Sequence, residues 1–437
     1  MKYFPISSDL FARNRNKVLR QLPHDSIAII HSNDLMPRNG DLFFKFRQHS
    51  DLFYLTGIEQ EKTILVLIPG ASDNKEKAVL FILEPKPEIE IWEGKKLTIT
   101  QAQQISGISH IEYEHTFHIF FAKLLQHYNC IYLNKNENPR LHTFVKSRDD
   151  RFKRIIRKRF PEKQIERLAP IITECRLRKE PEEIALIEQA CNITTNAFKQ
   201  TVPYIKPGIY EYEIEALLTK EFIAHGASGH AFEPIIASGA NSCFLHYVSN
   251  NTVLQPNTII LMDFGAEYAN YASDATRVIP VSGKFTQRQK QVYEAVLRVL
   301  KQTTKLIITG TTILEYQEQT KLYIQEELLH LGLIKQHDIT KQTKDKPAYF
   351  TYFMHGVSHF IGLDTHDVGN KDTVLEPGMV VSCEPGIYIA NEGIGIRLEN
   401  DILITETGNK NLLEQMPIEI EEIEDLMNSY WHNKKIN

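Results

Sequence analysis

The sequence predicts an α+β protein of two domains, a smaller mixed α/β domain over 1–168 and a larger α+β domain over 169–437. Three observations carry this expectation. Short apolar runs bounded by turn residues fill the first part, helix patterns alternate with hairpin-like strands in the second, and a basic, strand-poor stretch lies between them. At ~150 residues per domain the length alone would allow about three domains. With 42% hydrophobic and 24% charged residues, the composition is that of a globular chain long enough to bury a core.

In the first domain, Ser8 or Asp9 can cap a helix reaching about Gln21, and Ser26–His31 reads as a strand. Residues 63–68 and 78–83 are continuous apolar runs closed by Pro69-Gly70 and Glu84-Pro85, a pattern of strands buried on both faces. Cys130–Leu133 is another candidate. From Lys146 to Arg178 the chain turns basic and loses strand patterning. The whole carries 50 Lys and Arg against 55 Asp and Glu, a net charge of −5, which favours a solvated face of an amphipathic helix there over a nucleic-acid patch. Neither nucleic acid nor an anionic membrane is an expected partner.

In the second domain, Pro181-Glu182-Glu183 opens a long helix, with proline in the first turn and acids at the positive end of the dipole. Ile184, Ile187, Ala190, Cys191 and Thr194 follow the helical period. Lys206-Pro207-Gly208 breaks the chain, and 210–225 is a second helix ended by Gly226. Helices also fit 287–308 and 313–331, and strands fit 258–264, 276–281, 379–383 and 394–405, arriving as hairpins rather than βαβ units. The polar stretch 331–350 reads as loop. No internal repeat stands out, although two weakly similar α/β halves would escape such a reading.

Five widely spaced cysteines without a CxxC argue against a disulfide framework or a structural zinc site and fit a reducing cytoplasm. Asp9 and Arg13 interrupt the N-terminus before an apolar run forms, so no secretory segment is expected. No stretch of about 18 uncharged apolar residues occurs, so no transmembrane helix is expected either.

Walker A, GxGxxG, GxSxG and HExxH motifs are absent, which leaves acids and histidines of the second domain to carry chemistry. Asp263 ends an apolar run, where an unpaired carboxylate would be costly. Asp274 follows, with Gly265 and Asn270 between them as turn residues. Either neighbouring strands bring the two carboxylates together, or both are turn aspartates at opposite strand ends. The segment 355–367 crowds His355, His359, His366, Asp364 and Asp367 among glycines, which favours a site over separate core histidines. His355 and His359 have the i,i+4 spacing of a zinc helix, but Gly356 and Val357 speak against a helix. Glu384 follows the run 379–383 and precedes Pro385-Gly386. In an extended segment Arg397, Glu399 and Asp401 share one face, which is either functional or a salt-bridged exposed strand. His246 by itself reads as a half-buried hydrogen-bonding residue.

Taken together, two Asp, two Glu and one His form an oxygen-rich set suited to divalent ions such as Mn²⁺. Four carboxylates balance the charge of two such ions, and without metal they would raise one another's pKa. Two ions roughly 3.5–4 Å apart can acidify a shared water and polarise a carbonyl.

The order Asp, Asp, His, Glu, Glu, in the contexts MDFG, SDATR, HGVSHFIGLDTHDVG, CEPGIYI and EGIGIRLEND, resembles the pita-bread metallopeptidases, and among them the aminopeptidase P (Xaa-Pro aminopeptidase) family. The resemblance is close over 170–410. It is looser in the first domain, through RQHSDLFYLTG and IWEG. It implies a C-terminal pita-bread domain of the creatinase/aminopeptidase type, two divalent ions per chain with Mn²⁺ foremost, and removal of the first residue from peptides with proline second. The ligands it implies are Asp263, Asp274 as a bridge, His359, Glu384, and Glu399 to both ions, with Arg397 holding Asp263. His246, His355 and His366 match the family's substrate-side histidines, His366 near the scissile carbonyl, and Glu384 would also handle the proton. Phe232 departs from the pattern, standing where some relatives carry a tyrosine near the metals. The resemblance further implies a homodimer or homotetramer that uses the N-terminal domain, which also gates the site.

A prolidase, cutting only Xaa-Pro dipeptides, shares both domains and all the ligands. Ser358 and the stretch GIYIANEGIGIRLEND favour the aminopeptidase. Methionine aminopeptidase lacks such an N-terminal domain, and creatinase is metal-free. A non-catalytic binding module on this fold would have lost ligands, whereas every ligand position here holds the expected residue type.

Overall fold

The computed structural model describes residues 3–434 and divides into two compact units, one over Phe4–Arg176 and one from Leu177 onward. The first is built on a six-stranded mixed sheet, in the order His110–Tyr113, Ala78–Ile82, Ile64–Leu67, Ser26–His31, Cys130–Leu133, Gln164–Arg167. Its central apolar runs are buried throughout, as strands covered on both faces must be. On one face Phe117, Phe121 and Leu125 of the helix Phe117–His127, and Ile156 of the helix Arg148–Arg159, pack on Ile29, Val66, Phe81 and Ile131.

The basic stretch is indeed helical where it begins. Ser147 caps it, its hydroxyl accepting from the Asp150 amide while the Asp150 carboxylate accepts from the Ser147 amide. Two of its cations meet acids, Arg148 with Glu114 and Arg151 with Asp34. Further on, the expectation fails, because Gln164–Arg167 is a strand. It lies at the sheet edge, where a polar composition is tolerated and masks the strand signal. The domain boundary also moves. The helix Ala169–Leu177, assigned from sequence to the second domain, is tied to the first unit by Tyr54 OH donating to Cys175 O (2.9 Å) and by Arg176 Nη1 to Asp51 Oδ1 (2.7 Å).

The second unit repeats one plan twice. Its first half opens with the helices Pro181–Thr201 and Glu211–Ala224 and continues into the antiparallel strands Ile235–Ser238, Ile259–Phe264 and Ala275–Pro280. A short hairpin, Ala266–Tyr268 with Tyr271–Ala272, is inserted between the last two. Ala269 (φ 50°) and Asn270 (φ 67°) both take the left-handed conformation its two-residue turn requires. The second half has the helices Gln287–Thr304 and Ile313–His330 and the strands Val380–Cys383, Asn400–Thr405 and Gly408–Asn411, with the hairpin Gly386–Ile389/Ile394–Arg397 inserted. The segment read as one strand over 394–405 is therefore two, broken at Leu398-Glu399. The polar stretch 331–350 holds a short helix, Gln336–Lys341. Among the described residues no helix is long and apolar enough to cross a membrane, and none of the five cysteines forms a disulfide.

Candidate metal centre

Each inserted hairpin leaves its sheet beside one carboxylate and returns beside another. In the first half Asp263 pairs with Thr276 and Phe264 with Ala275, so Asp274 re-enters next to the point where Asp263 departs. Gly265 makes this possible, because a Cβ there would fall 1.8 Å from the Ser273 carbonyl oxygen. Neighbouring strands thus bring the two aspartates together. In the second half Cys383 pairs with Asn400, placing Glu384 and Glu399 at the matching exit and entry.

His359 is laid against the same sheet. Its amide donates to Ser382 Oγ (3.1 Å), its carbonyl accepts from the Ser382 amide (2.8 Å), and Phe360 bridges to Val381. Residues 355–359 are not helical. Nδ1 of His359 donates to Phe360 O (3.1 Å), which leaves the Nε2 lone pair 3.4 Å from Asp274 Oδ2 and 3.7 Å from Glu384 Oε1. Ligand atoms of Asp274, His359 and Glu399 all lie within 4.8 Å of one another.

The electrostatics call for cations. Burial, reinforced by Asp263, Asp401 and Glu384, holds the Asp274 carboxyl well above its usual range. Burial together with Asp274, Glu384 and Asp263 does the same to Glu399. Asp263 Oδ1 and Asp274 Oδ1 are buried without a hydrogen-bond partner. Buried acids short of both partners and counter-charge are what divalent ions satisfy, so the residues present fit a metal site.

Arg397 organises one flank. Its Nη2 meets Asp263 Oδ2 at 2.5 Å, its Nε donates to Thr276 Oγ1 (3.1 Å) and its Nη1 to Tyr388 OH (3.0 Å). Nδ1 of His355 donates to Gly356 O (2.7 Å), so its Nε2 accepts from Tyr388 OH (2.8 Å). Burial first, then Arg397, with His246 and Lys371 adding to it, pushes the His355 pKa down to about 3. The ring is neutral at any working pH. His246 itself is exposed, on the loop after the turn Gly239–Cys243. His366 is exposed too, its ring 4.4 Å from that of His359 and edge-on to it. His355 Nδ1 lies 3.7 Å from Glu384 Oε2.

Phe232 offers no hydroxyl, while that of Thr276 meets a carboxylate of the cluster, donating to Glu399 Oε2 (2.6 Å). Two residues of the site gave no signal in the sequence, Thr276 and Tyr388, since each sits inside a strand of mostly apolar residues. Asp401, grouped with Arg397 and Glu399 on a face either functional or exposed, is wholly buried. Its Oδ2 accepts from the Asp274 amide (3.0 Å) and from Cys191 Sγ (3.3 Å), and burial pushes its pKa up to about 7. The exposed salt-bridged strand is excluded by the complete burial of Ile394–Arg397 and of 400–404.

The sequence model for metallopeptidase family M24 matches residues 185–406, a span that encloses every carboxylate of the cluster, and that for the aminopeptidase P N-terminal domain matches 11–132. The Xaa-Pro aminopeptidase of Escherichia coli K12 is 36% identical, over 97% of this chain and 98% of its own. That of Haemophilus influenzae is 34% identical, over 96% and 97%. A solved structure of E. coli aminopeptidase P with the inhibitor Pro-Leu superposes with a TM-score of 0.89 at 33% identity, covering 98% of this chain and 100% of that one.

Proposed function

The chain belongs to metallopeptidase family M24, and from that premise we propose how its residues remove the first amino acid from peptides with proline second. It is a metallo-aminopeptidase of the Xaa-Pro type, as its full-length likeness to enzymes of that name supports. The folded chain uses divalent metal, and its partners are peptides: solved relatives hold Pro-Leu and, in an E. coli variant, substrate.

Divalent ions held by Asp263, Asp274, His359, Glu384 and Glu399 supply a Lewis acid and an acidified water; we assign two ions, Mn²⁺ foremost, to this oxygen-rich set. Glu384 is the carboxylate most open to a substrate, with its side chain 18% exposed against 7% for Asp274. It takes the proton of the attacking water and passes it to the proline nitrogen. His366, exposed beside His359, donates to the carbonyl oxygen as negative charge develops there. His246 and the neutral His355, whose Nε2 would exchange the Tyr388 hydroxyl for substrate, stabilise the bound peptide and the tetrahedral intermediate. Proline suits such a site because its amide nitrogen carries no hydrogen and its ring is rigid. The single observation that carries this reading is the meeting of four carboxylates, two with buried unpartnered oxygens, at the roots of the two hairpins.

The test is a metal count joined to a cleavage assay. Chelated protein reloaded with Mn²⁺ is expected to hold two ions per chain and to release Xaa from Xaa-Pro-Yaa tripeptides. Activity confined to Xaa-Pro dipeptides would make it a prolidase instead, and fewer than one ion per chain would point to a binding module. We also assign the enzyme to the cytoplasm, which suits five cysteines without a disulfide, and to a homodimer or homotetramer, which sedimentation of the full chain would check.

A further inference from the structure

The loop that carries His246 is organised by one buried carboxylate. Glu211, in the first turn of its helix, has no exposed surface. Its Oε1 accepts from the Ser238 amide (2.8 Å), the Ser238 hydroxyl (2.7 Å) and Asn241 Nδ2 (3.3 Å). Its Oε2 accepts from Tyr247 OH (2.8 Å) and the Thr252 amide (2.9 Å). The donors stand before, within and after the segment 239–251, so a single side chain gathers both ends of the loop and its middle. The Glu211 amide adds a bond to Thr252 O (3.0 Å).

The middle is where this matters. Tyr247 directly follows His246, and its hydroxyl also lies 3.3 Å from Thr252 Oγ1. On the other side of His246, Ser242 is held against the second hairpin. Ser242 Oγ accepts from the Gly395 amide (2.8 Å), and a Cβ on Gly395 would fall 2.1 Å from Ser242 O. His246 is thus an exposed ring between two fixed points.

We propose that Glu211 and Tyr247 are positioning residues for the peptidase reaction, their hydrogen bond setting where the loop presents the His246 ring. This rests on the substrate-side reading of His246 given above. A carboxylate with five donors could serve folding alone, and so could the Tyr247 hydroxyl that donates to it, so the two roles are separated by whether the effect of Tyr247 depends on His246.

The experiment uses the full chain loaded with Mn²⁺ and an Xaa-Pro-Yaa tripeptide, and compares Tyr247→Phe, His246→Ala and the double variant. Tyr247→Phe is expected to lower kcat/KM about tenfold, with ions per chain unchanged and the protein still folded at the assay temperature, because small misplacements near the reacting atoms are costly. In the His246→Ala background the same change is expected to have no further effect, as for residues acting through one another. Glu211→Gln, which withdraws one acceptor oxygen, should match Tyr247→Phe where it folds. Unchanged kcat/KM in Tyr247→Phe, or an equal loss with His246 already removed, would overturn the positioning role alone. Unchanged kcat/KM in His246→Ala would overturn the reading of His246 itself, and this proposal with it.

Discussion

Lys179 Nζ stands 3.1 Å from Asp367 Oδ2, with neither side chain more than 2% exposed. Asp367 directly follows His366, and its amide closes a turn by donating to Phe360 O (2.9 Å). Gly362 leaves room for the pair, since a Cβ there would fall 2.2 Å from Asp367 Oδ2. The turn so closed carries His359 at one end and His366 at the other, and holds their rings together.

Asp367→Asn should therefore strand a buried ammonium and cost about 3–5 kcal/mol of stability. Lys179→Met with Asp367→Leu, removing both charges, should recover most of that loss. Urea unfolding of the two variants would show it, and equal destabilisation by both would count against a charge-pair origin.

Arg397→Lys replaces a fork touching Asp263, Thr276 and Tyr388 by a single point charge. Loss of a partner that orients a metal-binding carboxylate should weaken Mn²⁺ affinity about 10–100-fold. Calorimetric titration of the chelated protein measures it directly.

Glu384→Gln should lower kcat on a tripeptide by about 100-fold or more, the usual share of general acid–base catalysis. The comparison is made at saturating Mn²⁺ with ions per chain counted. Near-normal turnover with the full metal complement would remove the proton-handling role.

The metal-free protein should lose stability as pH rises. Burial holds Asp401 at about 7, and holds Asp274 and Glu399 well above their usual range. Between about 4, where unfolded carboxylates ionise, and 7, the folded state therefore binds more protons than the unfolded one, and stability falls through that window. Melting temperatures measured with chelator should decline from pH 5 to 7.5. Added Mn²⁺ should abolish or reverse the decline, because bound cations favour the ionised carboxylates.

Gly265→Ala places a methyl group where the Ser273 carbonyl already lies. The hairpin must then move off its sheet and carry Asp274 away from Asp263. Metal affinity should fall more than in Gly408→Ala, where a Cβ meets nothing within 4 Å and only a left-handed backbone opposes it.

Local patterns were legible in the sequence. Apolar runs bounded by turn residues disclosed the central strands of both units, and the acids and histidines of the cluster stand in contexts long enough to name their family. Properties that depend on tertiary pairing were not legible. The break at Glu399 resets the alternation that had grouped it with Asp401 on one face, so the pattern left open whether these fully buried acids were functional or exposed. The edge strand Gln164–Arg167 is polar because only one side of it is paired. Glu211 stands in a first turn, where a helix dipole alone would account for an acid, whereas its five donor atoms lie in and on either side of a loop distant in sequence.

The doubled plan of the second unit has a consequence for how the protein is made. Each half supplies two of the four carboxylates, and His359 comes from the second half alone, so on the proposed ligand set the complete site needs both halves. In a small zinc domain the ion starts the folding of a nearby loop. Here Asp263 and Glu399 meet only after most of the chain between them has found its place, and contacts so remote in sequence form late. Metal capture is thus a closing event. A newly synthesised chain truncated before Glu384 lacks the second pair of carboxylates, and uptake of a divalent metal is expected to report that both halves have docked.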